Sequence, residues 1–165
     1  APEAPPAETA APEAPPAETA APEAPPVNTQ PEVPPTNNDL VIDLWFSVQA
    51  SADTVTPDTI KSLLAHADFD WNTPNRVRSV ISAFTSQPTV LWTAEGLDIY
   101  IAVIKKLDDA NPVLASRLLQ VLGRWNTLAE PRRQMAHEQL LELQKQATSK
   151  HVIESLNSVL GSASE

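Results

Sequence analysis

Proline placement constrains this chain more than any other feature. Twelve of its 17 prolines fall within residues 1–39; the other five, Pro57, Pro74, Pro88, Pro112 and Pro131, are scattered through residues 40–165. Closely spaced prolines remove backbone donors and clash with the preceding turn, which blocks helix and sheet alike. An isolated proline is welcome in the first turn of a helix, where its missing N–H costs nothing. The chain is therefore expected to comprise an arm, residues 1–39, and a folded domain, residues 40–165.

The arm repeats APEAPPAETA at 1–10 and 11–20 and continues as APEAPP at 21–26. It carries seven acidic residues and no Lys or Arg. The repeat holds nothing large and apolar to bury, so it reads as a disordered, extended linker with polyproline-II character. PEAP has the form PxxP, but the basic anchor that proline-binding modules use is missing, which favours a plain linker.

In the domain, prolines and polar caps mark where helices start. Leu40, Val41, Leu44, Trp45 and Val48 make a first helix, with Asp39 as its cap. Thr56-Pro57 opens a second, with Ile60, Leu63 and Leu64 on its stripe. Thr73-Pro74 opens a third, in which Val77, Val80, Ile81 and Phe84 fall at i, i+3, i+4 and i+7. A break at Gln87-Pro88 and a short apolar turn precede a fourth helix from about Glu95, with Gly96 in its first turn. Asn111-Pro112 opens a fifth running to Trp125, Pro131 a sixth, and Ser149 a seventh ending at Gly161. No stretch alternates with period two for long enough to be a strand. The expectation is an all-α domain whose wide apolar stripes each meet two or more neighbours. Antiparallel helix pairs stacked as a HEAT- or armadillo-like solenoid satisfy that with short loops.

Chemistry is scarce. The net charge is −10 and no basic stripe exists, which excludes a nucleic-acid partner. No apolar run approaches the roughly 18 residues of a membrane span. Without cysteine there is no disulfide and no thiolate site, and the chain suits bacterial cytoplasm. His66, His137 and His151 lie in different helices. His137-Glu138 begins like a zinc-binding His-Glu-x-x-His, but Leu141 stands where the second histidine belongs. Asp108-Asp109 reads as an acidic helix end, and Arg132-Arg133 as a solvated face. No catalytic residue and no metal ligand is expected in this chain.

Four collinear stretches carry a resemblance: LVIDLWFSVQA (40–50), HADFDWNTPNRVRSVISAF (66–84), NPVLASRLLQVL (111–122) and RRQMAHEQLLEL (132–143). Together they resemble the C-terminal end of aminopeptidase N, more narrowly of the bacterial alanyl aminopeptidases among the zinc-dependent gluzincin peptidases. The resemblance implies a helical solenoid that caps a catalytic domain and helps enclose a peptide chamber. It also implies that the zinc ligands and the catalytic glutamate lie in other domains, supplied in cis or in trans. Two positions match arginines that face the chamber in that family: Arg78 in NRVR and Arg117 in ASRLL. A guanidinium there offers a forked donor set to a peptide substrate's carboxylate or carbonyls. The chain departs from the family at Thr85–Glu95, which is shorter, and upstream of Leu40, where the repeat replaces further solenoid helices. The first helix is therefore expected to keep an uncovered apolar edge. Two functions stand: a non-catalytic cap domain, fragment or detached module, of a zinc aminopeptidase, or a free-standing helical interaction module tethered by the arm.

Overall fold

The computed structural model describes residues 37–161, and the expected disorder of the arm lies outside them. Eight α-helices and one 3₁₀ helix are present among the described residues, with no strand. They are α1 (Asn37–Ser51), α2 (Pro57–Leu64), α3 (Pro74–Thr85), α4 (Pro88–Leu91), α5 (Ala94–Ala110), α6 (Pro112–Leu119), the 3₁₀ helix Gln120–Thr127, α7 (Arg132–Gln146) and α8 (Lys150–Gly161). The first helix starts at Asn37, so Asp39 lies inside its first turn instead of capping it.

Local chemistry explains most boundaries. Thr56 and Thr59 cap α2 reciprocally: the Thr59 amide donates to Thr56 Oγ1 at 3.2 Å and the Thr56 amide to Thr59 Oγ1 at 3.3 Å. Thr93 Oγ1 accepts from the Gly96 amide at 3.0 Å, Asn111 Oδ1 from Leu114 at 3.0 Å and Ser149 Oγ from Val152 at 3.3 Å. Each satisfies an otherwise orphaned first-turn donor. The apolar turn after Pro88 is a one-turn helix of its own, α4.

The fifth expected helix changes character halfway. It is α-helical to Leu119 and 3₁₀ from Gln120. Val121, Gly123, Trp125, Asn126 and Thr127 are weak helix formers, so propensity resists little. Tertiary bonds then hold the tighter winding: Trp125 Nε1 donates to the Val159 carbonyl of α8 at 3.0 Å.

Packing runs in layers along the chain. The helix α1 lies on α3, α2 on α3 and α5, α5 on α6 and α7, and α6 and α7 on α8. One continuous apolar core threads these layers, from Phe46 through Phe84, Tyr100 and Leu119 to Leu156. The stripes expected of α2 and α3, joined by Leu97 and Ile104 of α5, are its floor: Ile60, Val77, Val80, Ile81, Phe84, Leu97 and Ile104 are fully buried.

The first helix is apolar nearly all round, and the core takes the other side of it. Phe46 and Ala50 are buried, whereas Leu40, Val41, Leu44, Trp45 and Val48 are 43–65% exposed. The five residues that mark the helix in the sequence form its uncovered edge. Ile153 of α8 is likewise on the exposed side.

Candidate functional site

The segment before α3 is organised by Asp70. Its carboxylate accepts from the Asn72 amide at 2.9 Å, from Thr73 Oγ1 at 2.7 Å and from Asn72 Nδ2 at 3.3 Å. The backbone bond from Asn72, followed by the hydroxyl bond from Thr73, holds the Asp70 carboxyl below its ordinary range. Thr73 was expected to cap α3 with its hydroxyl. It stands at the N-cap position but makes no side-chain cap bond, because that hydroxyl serves Asp70.

The two arginines of NRVR do part company. Arg76 is only 5% exposed. Its Nε donates to the Asp43 carboxylate, its Nη1 to the Asp68 carbonyl and its Nη2 to Asp39 Oδ1 at 3.5 Å. Its guanidinium also lies 5.6 Å from the centroid of the Phe46 ring. This cation fastens α3 to α1 and to the turn before α3. Sequence reasoning passed over it, although Asp39 and Asp43 at i and i+4 on α1 were the available signal.

Arg78, one turn face away, is exposed, with Nη1 3.5 Å from Asn75 Oδ1. Arg117 on α6 is exposed and has no hydrogen bond or ion pair among the described residues. The two arginines stand on different helices, α3 and α6, and share no partner among the described residues. Beneath Arg117, Tyr100 donates its hydroxyl to the Leu118 carbonyl at 2.9 Å, fixing the end of α6 to α5. Burial pushes the Tyr100 phenol well above its usual range, so it stays a donor.

Asp108 is not an ordinary helix end. It is 6% exposed and accepts from Thr148 N at 2.7 Å, Thr148 Oγ1 at 3.1 Å and Ser149 N at 3.2 Å. Burial pushes its carboxyl up, but the bonds from Ser149 and Thr148 outweigh it and leave the group below the usual range. His137 stacks flat on Trp125, ring centroids 4.7 Å apart. Arg133 pairs with Glu130 at 2.7 Å on an exposed face.

Two of the surface grooves among the described residues are larger than about 300 Å³, and neither is lined by Arg78 or Arg117. One, about 460 Å³, has Leu64, Trp71 and Val103 as its floor and Lys61, Asp98 and Lys106 at its rim. The other, about 390 Å³, is lined by Trp125, Asn126, Glu130, Arg133, Gln134 and His137. Among the described residues no three His, Cys, Asp or Glu side chains converge as a metal site would need. No described helix is long and apolar enough to cross a membrane.

Stacked helix layers around one continuous core, with no strand among the described residues, define an armadillo-type repeat domain. Residues 22–161 match the family described as a domain of unknown function (DUF3458_C) with ARM repeats, and the chain belongs to that family. It is homologous to the C-terminal domain of aminopeptidase N. It is 34% identical to aminopeptidase N of Escherichia coli (strain K12) over 114 residues, 65% of this chain and 13% of that protein. It is 30% identical to aminopeptidase N of Caulobacter vibrioides over 129 residues, 74% of this chain and 15% of that one. The crystal structure of Legionella pneumophila aminopeptidase A in complex with aspartic acid superposes with a TM-score of 0.69. That match is 31% identical and covers 76% of this chain and 15% of the other. The chain thus spans about 13–15% of the length of the relatives it matches.

Proposed function

We propose that this chain is the C-terminal helical cap of a zinc aminopeptidase, shaping the chamber in which peptides lose their N-terminal residues. It contributes no catalytic residue. The zinc and the general base come from a catalytic domain joined in cis or docked in trans, and we assign the assembly to the bacterial cytoplasm. Arg78 and Arg117 are its substrate contacts, offering forked donors to a peptide carboxylate or to carbonyls beyond the scissile bond.

The observation that carries the reading is the contrast among the arginines of the matched motifs. Arg76 is buried and committed to Asp43, whereas Arg78 and Arg117 are exposed and have no carboxylate partner among the described residues. A guanidinium held on a rigid helix without a carboxylate partner can be offered to a ligand. The alternative, a free-standing interaction module, draws support from the exposed apolar edge of α1.

The test is alanyl-reporter turnover by an aminopeptidase N lacking the matched C-terminal segment, with this chain added in trans. Restored turnover that falls at least about tenfold in R78A and R117A, with unchanged Tm, supports the cap; tenfold corresponds to about 1.4 kcal/mol of transition-state binding. A folded chain that neither binds nor restores turnover refutes it and leaves the interaction module.

A further inference from the structure

The groove of about 460 Å³ runs along α5 and is closed on its far side by α2 and Trp71. Its size is that of a small-ligand site. Asp98, Ala102 and Lys106 pass through it at four-residue intervals, which keeps them on one face of the helix. The middle one is an exposed alanine, so the trough stays open between the two charges. Leu64, Trp71 and the buried Val103 make its floor apolar.

The two ends of this trough carry opposite charge. Asp98 stands at one end, with Oδ1 accepting from Gln139 Nε2 of α7 at 2.7 Å. That bond orients the carboxylate, and its other oxygen has no hydrogen bond among the described residues. Lys106 stands at the other end. Its ammonium lies 4.2 Å from the centroid of the Trp71 ring and has no carboxylate partner among the described residues. Lys61 of α2 adds a second ammonium to the rim, held only by an exposed pair with Asp58 at 3.4 Å.

We infer that this groove binds a short extended peptide with free termini and apolar side chains, its ammonium at Asp98 and its carboxylate at Lys106. Charge and length select that occupant. A simple anion would meet Asp98 and a simple cation the two lysines, whereas a zwitterion is complemented at both ends. The helical rise sets Asp98 and Lys106 about 12 Å apart along the axis. A single amino acid carries both charges on one carbon and cannot span that. An extended chain gains about 3.3–3.6 Å per residue, so about three or four residues do. The floor between the charges then takes side chains that leave water. Neither Arg78 nor Arg117 lines the groove, so the inference does not depend on the role proposed for them.

Titration of the full chain with trileucine in low-salt buffer tests it, by calorimetry and by the NMR signal of the Trp71 indole. Dissociation at about 0.1–1 mM is expected. Amidating the peptide's carboxylate or acetylating its amine should each weaken binding about three- to fivefold, and both changes leave the protein untouched. D98N should erase the penalty of acetylation, and K106M that of amidation. A102W should fill the trough and abolish binding at unchanged Tm, because Ala102 is exposed. Neither heat nor a shift of the Trp71 signal at about 5 mM trileucine, well above the expected range, overturns the inference. Binding that survives A102W overturns it too, as does equal affinity for the free, amidated and acetylated peptides. Octanoate binding as tightly as trileucine also overturns it, and gives the groove to an anionic amphiphile.

Discussion

Replacing Gly96 by Ala sets helix propensity against packing, and the two predict opposite signs. Gly96 sits in the first turn of α5, where alanine gains about 1 kcal/mol of propensity. The structure leaves no room for the methyl. A Cβ at this position would lie 2.0 Å from the Val90 carbonyl oxygen and 2.9 Å from that of Leu91. Heavy atoms settle at about 3.5 Å, so α4 would have to retreat from α5 by more than about 1 Å. Both obstacles are backbone and cannot rotate away.

The retreat also pulls on Leu91 and Trp92, which are 1% and 7% exposed on the same turn. Overpacking costs about 1–3 kcal/mol, and partial loss of Leu91 burial adds about 1 kcal/mol. After the propensity gain, G96A should destabilise the domain by about 1–3 kcal/mol, lowering Tm by about 3–12 °C. Thermal and urea unfolding followed by circular dichroism measure it. Gly123→Ala is the internal control, since its Cβ would meet only Val159 Cγ2 at 3.9 Å, an ordinary contact. G123A should be neutral or slightly stabilising. A G96A variant as stable as the parent would refute the close approach of α4 to α5.

Other substitutions test the polar anchors. Arg76→Met keeps the stem but strands Asp43, whose side chain is 16% exposed; a loss of about 3 kcal/mol is expected, and a urea midpoint near the parent's would refute the role. Tyr100→Phe leaves the Leu118 carbonyl without its buried donor and should cost about 1–2 kcal/mol at unchanged m-value. Asp108 has a carboxyl held below its usual range, so its stabilising charge is fully present above about pH 4 and is lost as pH falls through its lower folded-state value. D108N should therefore cost about 1.5–3 kcal/mol at pH 7. It should also flatten the acid limb of the stability profile below about pH 4, and an unchanged limb would show that the bonds from Thr148 and Ser149 contribute nothing.

Helix existence and most of the core were legible in the sequence, because periodicity and caps are local. Pro57, Pro74 and Pro112 stand in first turns, with Thr56, Thr73 and Asn111 at the N-cap positions before them. Val77, Val80, Ile81 and Phe84 face inward as their spacing requires. The α-to-3₁₀ change at Gln120 was not legible, since it depends on Trp125 reaching Val159, 34 residues away. Arg76 and Asp108 escaped for the same reason: each is buried by partners from another element, and a charged residue in a helical pattern reads by default as solvated.

Composition and periodicity alone determined the all-α character of the described residues, because helix start signals and apolar spacing act within a few residues. The four collinear motifs carried the family. Tertiary structure decided which side of α1 the core would take, because that helix is apolar nearly all round and its sequence offers no choice between faces. Arg76 settled it. Drawing Asp39 and Asp43 inward to its buried guanidinium turns Phe46 to the core and leaves Leu44 and Trp45 facing water.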